Sequence, residues 1–130
     1  MDIKQAIDHV KATPVVGIKT TRVEVPLGSI YWQGDVGFLR VTSTDAPQVP
    51  LQAQLAPGAT RGSRHIINPE SKCVLYRKRE RDVAEGPVVE AISDLQVDHP
   101  DHGTVILPPG LYQIRYQRQI DDGQIHRMVD

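Results

Sequence analysis

The chain has 130 residues, 39% hydrophobic, 24% charged and 5% aromatic, and its 15 basic and 16 acidic side chains leave a formal net charge of −1. That length suits one domain around one core and is too short for two of ordinary size. The near-zero charge excludes a global field that would draw in nucleic acid or an anionic membrane, and the apolar content argues against wholesale disorder. Any such partner would have to meet a local patch, and the one dense basic run is Arg77-Lys78-Arg79-Glu80-Arg81. It reads as a solvated strand end or hairpin tip, with contact to phosphate or an acidic partner as the alternative. The single cysteine, Cys73, excludes an intrachain disulfide and a cysteine-built zinc site, and its apolar neighbours Val74 and Leu75 predict burial. Met1 to Val10 mixes charged and apolar residues, without the continuous apolar stretch of a signal peptide. No segment approaches the length of a membrane span, so the expectation is a cytoplasmic protein.

From the N-terminus, Asp2 to Ala12 places Ile3, Ile7 and Val10 at helical spacing behind a candidate cap, Asp2, and meets Pro14. This predicts a short amphipathic helix with His9 on its polar side. From Lys19 the pattern changes to alternation, with Thr21, Val23 and Val25 on one face, which predicts a half-buried strand ended by Pro26 and Gly28. Further strands are predicted over Ile30 to Trp32 and Val36 to Thr42, with Gln33-Gly34-Asp35 as a tight turn between them. Another spans Val49 to Leu55, with Val49, Leu51, Ala53 and Leu55 on one face; Pro50 makes it an edge strand or one that starts later. The stretch from Ala56 to Ser63 is a loop by composition and leads into His65-Ile66-Ile67. After the turn Asn68-Pro69-Glu70 come strands over Lys72 to Arg79, Val88 to Ile92, Leu95 to Val97, Thr104 to Leu107 and Leu111 to Ile120. The last shows Tyr112, Ile114 and Tyr116 alternating with Gln113, Arg115 and Gln117. A short helix beginning at Asp121 or Asp122 and carrying Ile125, Met128 and Val129 is predicted to close the chain. The sum is a mainly β single domain, residues 1–130, built as a small antiparallel barrel or two-layer sandwich of about nine short strands with a short helix at each end.

Three local groupings carry chemistry. Asp98-His99-Pro100-Asp101-His102-Gly103 sits at a turn between strands; two imidazoles three apart there can converge on one metal ion or one phosphate, with the carboxylates orienting them. In the bland alternative His102 or an aspartate caps the turn. Thr60-Arg61-Gly62-Ser63-Arg64-His65 offers guanidinium, hydroxyl and backbone donors to an anion, and it lacks the lysine and following helix of a nucleotide-binding loop. Asp35, after Gln33 and Gly34, either closes its turn by an Asx-type hydrogen bond or serves as a ligand or acid.

The order of these pieces carries a resemblance. Gln33-Gly34-Asp35-Val36, Gly62-Ser63-Arg64-His65, His99-Pro100-Asp101-His102, Leu107-Pro108-Pro109-Gly110-Leu111-Tyr112 and Gln117-Arg118-Gln119-Ile120 stand in sequence over roughly residues 30 to 130. The chain resembles a family of small, uncharacterised proteins of bacteria and their phages that runs through Gln-Gly-Asp-Val, a Gly-His-x-His loop, a His-x-x-His turn, Leu-Pro-Pro-Gly-x-Tyr and Gln-Arg-Glu-Tyr. It departs at Ser63, where that pattern has a histidine, and at Gln119-Ile120, where it has Glu-Tyr. The resemblance implies that the loop and the turn act together, and a metal site in relatives would here have lost a ligand at Ser63.

The residues so assembled are His65, His99, His102 and Arg64 as candidate catalytic groups, Gln33, Asp35, Arg61, Ser63 and Arg118 as candidate ligand-binding groups, and His65, His99 and His102 as candidate ligands of a divalent metal. Three functions fit them. The leading one is a non-enzymatic β-rich module whose histidine-lined site binds a metal, an anion or a partner. The second is a hydrolase, acting on a phosphodiester, with two histidines as general base and acid and Arg64 or Arg118 stabilising negative charge, or with the same imidazoles as ligands of a catalytic metal. The third is a structural or assembly subunit, phage-associated, self-associating or part of a larger complex.

Overall fold

The computed structural model describes residues 11–15, 20–56, 64–80, 82–121 and 124–127. Within them lie thirteen strands: β1 Lys11–Val15, β2 Thr20–Glu24, β3 Ile30–Gln33, β4 Val36–Val41, β5 Gln48–Val49, β6 Ile66–Ile67, β7 Cys73–Tyr76, β8 Glu85–Ala91, β9 Leu95–His99, β10 Gly103–Leu107, β11 Gly110–Tyr116, β12 Arg118–Asp121 and β13 Gln124–Arg127. One sheet has the order β1-β2-β10-β9-β6, a second β3-β4-β11-β8-β7-β5, and β12 pairs with β13 alone. Pairing is antiparallel except between β10 and β2. Buried side chains of both large sheets join in one cluster, largely aliphatic, in which Val23, Ile67, Leu95, Val97, Val105 and Leu107 of the first sheet meet Val36, Leu75, Val89, Ile114 and the aromatic Phe38, Tyr112 and Tyr116 of the second. This burial of aliphatic surface is the main favourable term holding the sheets together.

The predicted architecture needs correction. No barrel closes, since each large sheet keeps two edges, and the described residues contain no helix. Lys11 and Ala12, placed at the end of an N-terminal helix by sequence pattern, lie in β1 against Glu24 and Val23 of β2; the rest of that expectation falls on residues 1–10, outside the described residues. The C-terminal helix is replaced by the β12–β13 hairpin, in which Ile120 faces Ile125. The C-terminal helix rested on a few apolar residues at helical spacing, a signal that strand pairing with a neighbour overrides.

The strand predicted over Val49 to Leu55 stops at Val49, because Pro50 has no N–H to give the ladder. Beyond it Leu51 is exposed, while the chain turns to lie beside β6, with Leu55 N–H donating to His65 O and Ile67 N–H to Ala53 O. Pro87 is accommodated differently. It lies inside β8, between β11 and β7, and there the register slips: Gln113 faces Val88 but Arg115 faces Glu85. The bulge leaves ladder carbonyls over, and the Gln113 side-chain amide donates to Gly86 O and to Ile114 O, both at 2.9 Å. Gly86 is needed because Tyr116 crosses above it; a Cβ there would lie 2.7 Å from Tyr116 Oη and 2.9 Å from Ile114 Cγ2. Gly86→Ala is therefore expected to destabilise the protein by about 1–3 kcal/mol through overpacking, read as a lower urea midpoint with an unchanged slope.

Candidate functional site

The site forms where one end of each large sheet meets the other. In the second sheet, β3 and β4 are joined by the two residues Gly34 and Asp35, with Gln33 paired to Val36. Gly34 turns the chain with φ of 60°, a conformation that costs a glycine little. The tight turn directs both Gln33 and Asp35 inward, and they are 4% and 0% exposed. The turn is tied back to the end of β11 by Gln117 N–H donating to Asp35 O at 3.1 Å.

In the first sheet, β6 pairs with β9 so that Ile66 faces Asp98 and Ile67 faces Val97. Continuing that antiparallel register by one residue sets His65 opposite His99, and their rings lie 4.3 Å apart, centroid to centroid. His99 ends β9 opposite Gly103 at the start of β10. The connection between them carries His102, whose ring is 4.4 Å from His99 and 6.5 Å from His65. The three imidazoles thus form a line from the interior to the surface: His65 is 0% exposed, His99 is 4% exposed and His102 is exposed.

Hydrogen bonds fix the protons in this line. Gln33 Nε2 donates to Val97 O and to Gly103 O, each at 3.0 Å, so the side-chain amide has one orientation; reversed, its oxygen would face two carbonyl oxygens. Gln33 Oε1 consequently faces His65 Nδ1 at 3.1 Å and, being an acceptor only, requires N–H there. The other ring nitrogen, His65 Nε2, lies 3.1 Å from Asp35 Oδ1. With Nδ1 already protonated, one further proton must sit between Nε2 and the carboxylate, giving an imidazolium–aspartate ion pair or its neutral equivalent. His99 is fixed in the opposite sense at Nδ1, which accepts the backbone N–H of Asp101 and of His102, each at 3.0 Å. A neutral His99 therefore carries its hydrogen on Nε2.

Sequence reasoning named His65, His99, His102, Gln33 and Asp35, and the structure brings these five together. It assigns some of them other work. The turn is capped by His99, where the sequence pointed to His102 or an aspartate. Asp98 orients no imidazole; it accepts from Thr104 Oγ1 at 2.6 Å and from Gln96 Nε2 at 3.2 Å. Asp35 reaches His65 across the sheets instead of closing its own turn. Arg64 is exposed next to His65 in the chain. Arg61 and Ser63 lie outside the described residues, and Arg118 is placed only as the start of β12. Cys73 is half-buried, and burial pushes its thiol up from the ordinary pKa, which disfavours the thiolate. Arg77 follows β7 half-buried, and Lys78 beside it pairs with Asp45 at 3.8 Å, so the basic run is in part neutralised within the chain.

Among the described residues, no group of three or more His, Cys, Asp or Glu side chains is arranged to hold a metal ion. Nor is any helix long and apolar enough to cross a membrane. Fold and site together define a mainly β protein of two facing sheets, with a buried aspartate–histidine pair at one end and two further imidazoles leading outward from it. The chain belongs to the family described as Domain of unknown function (DUF8820), whose model matches residues 32–117. No curated protein and no solved structure matches it.

Asp35→Asn removes the carboxylate that compensates the shared proton. It is expected to cost about 3–5 kcal/mol, as when one partner of a buried ion pair is deleted, measured by urea unfolding near neutral pH. Gln33→Glu should also destabilise, because a carboxylate oxygen would replace the amide nitrogen against Val97 O and Gly103 O; an unfolding midpoint equal to wild type would refute the orientation given to Gln33.

Proposed function

We propose that this protein is a small β-rich binding module and that its histidine site takes an anion at the His99–His102 end. The observation that carries the reading is the set of protons fixed by hydrogen bonding. A metal ion needs an imidazole nitrogen with its lone pair free to coordinate. Both nitrogens of His65 act as hydrogen-bond partners of Gln33 and Asp35, and His99 Nδ1 accepts two amides. To ligate a metal, these rings would have to surrender the contacts that hold the turn and the sheet ends. The exposed His102, beside His99, and the exposed Arg64 bring N–H donors of the kind a phosphate or carboxylate oxygen accepts from. Arg64 supports the same ligand chemistry, as do Arg61, Ser63 and Arg118 on sequence grounds.

The hydrolytic reading has less support. A general base must present a nitrogen to its substrate, and His65 has both engaged while being fully buried. The assembly reading, and the bacterial and phage connection drawn from the motif order, rest on sequence alone.

Titration of the protein with inorganic phosphate, followed by the ring resonances of His99 and His102, tests the proposal. Those resonances are expected to move while His65 stays in place. Phosphate at a hundredfold excess over its Kd should stabilise the fold by about 2.7 kcal/mol, an effect lost in His102→Ala. Zinc that raised Tm in wild type but not in His99→Ala would replace the anion by a metal; ring resonances unmoved by phosphate and by a simple carboxylate such as acetate would remove the anion.

A further inference from the structure

The turn between β9 and β10 is closed by an imidazole in a position usually filled by Asn, Asp or Ser. His99 Nδ1 accepts the N–H groups two and three residues further on, those of Asp101 and His102, at 3.0 Å each. An amide or hydroxyl oxygen can do this at any pH, whereas an imidazole can do it only while Nδ1 is bare. A proton on Nδ1 would turn the acceptor into a donor facing two donors, and both amides would lose their partner.

We propose that the His99–Gly103 turn is a proton-operated latch: it is closed while His99 Nδ1 is bare, and it opens when that nitrogen is protonated, uncovering the buried His65–Asp35 pair. The geometry makes the two events one. The His99 ring lies against His65, which is itself wholly buried, and Gly103 at the far end of the turn supplies one of the two carbonyls that orient Gln33. Opening the turn removes the cover of His65 and loosens the amide that holds it.

Titratable and charged groups face His99 from several described elements. From the segment before β6, His65 brings the proton it shares with Asp35 of the β3–β4 turn. From the turn itself come the ring of His102 and the exposed carboxylate of Asp101. Asp98 on β9 is held by Thr104 of β10 and by Gln96. The hydrogen-bond conflict at Nδ1 decides the sign. The open turn binds more protons than the closed one, so the closed population falls as pH falls and recovers as it rises. The latch needs no ligand and stands or falls apart from the anion proposal.

His99→Asn tests it, because the Asn side-chain oxygen can accept the same two amides and does not titrate. Protection of the Asp101 and His102 amides against hydrogen exchange, each relative to its intrinsic rate, is measured from about pH 8 to about pH 5, the range in which imidazoles change charge. In wild type, protection should fall by up to about tenfold per pH unit, the limit for one linked proton, while that of Val89 in β8 does not fall with it. In His99→Asn it should stay level. Equal loss in both proteins would overturn the latch. Should the variant not fold, wild type alone decides: the His99 ring nitrogen signal and the loss of amide protection must share one midpoint, and a ring that takes its proton with both amides still protected would overturn the proposal.

Discussion

The orientation of one amide governs the whole end of the molecule. Gln33 has two donors on its nitrogen, and the β9–β10 hairpin presents two carbonyl oxygens, those of Val97 and Gly103, at hydrogen-bond distance from it. The amide oxygen is thereby turned toward His65, and a histidine that must donate to Gln33 and also meet Asp35 has its proton count set by neighbours that cannot exchange roles. The same three residues span both sheets. Gln33 and Asp35 belong to the β3–β4 hairpin of one sheet, while His65 and the two carbonyls belong to the other.

Such an arrangement is costly in isolation. Removing an imidazolium and a carboxylate from water loses solvation that their mutual attraction only repays when geometry is good and the remaining polar atoms are satisfied. Aliphatic side chains of similar volume would hold the sheets together without that loss. What they would not supply is direction. The shared core is dominated by Val, Leu and Ile, whose contacts tolerate sliding and repacking, whereas the Gln33–His65–Asp35 contact is satisfied at one relative placement of the two sheet ends. Its cost in solvation is thus consistent with a role in fixing how the layers meet, and that fixed placement also sets the spacing of the imidazoles outside it.

Much of this was legible in the residues, though unevenly. Alternation located β2 and β11, because one side of each strand is buried and the period of two is written in the side chains. Turn chemistry located the β3–β4 hairpin through Gly34. The residues of the site could be named because histidines are few, five in the chain, and three of them stand with Gln33-Gly34-Asp35 at loop ends and turns. Their partners could not. That Asp35 reaches His65 depends on two sheets packing end to end, and no local pattern encodes a contact 30 residues away. The C-terminal helix failed for a related reason: Ile125 suits a helix face as well as a position opposite Ile120 in a hairpin, and only the pairing of β12 with β13 separates the two. The strand expected from Val88 begins earlier, at Glu85, and so contains Pro87. A proline inside an inner strand argues against that strand, unless a bulge absorbs it and a glutamine supplies the missing donors, as Gln113 does.

The family match spans this arrangement. It starts at Trp32, one residue before Gln33, and ends at Gln117, whose N–H holds the Asp35 carbonyl. Within those bounds lie every residue of the imidazole line, both carbonyls that orient Gln33 and the capped turn; outside them lie β1, β2 and the β12–β13 hairpin. The matched segment thus contains the site residues, and among the described residues the flanking strands extend one sheet and add a hairpin. Within that frame the three histidines have unlike duties. His65 is an anchor, too buried and too fully bonded to meet a ligand; His99 joins the anchor to the turn; His102 alone stands at the surface. A residue type that suggests three equal ligands in sequence becomes, once its hydrogen bonds are counted, a graded path from a fixed interior proton to solvent.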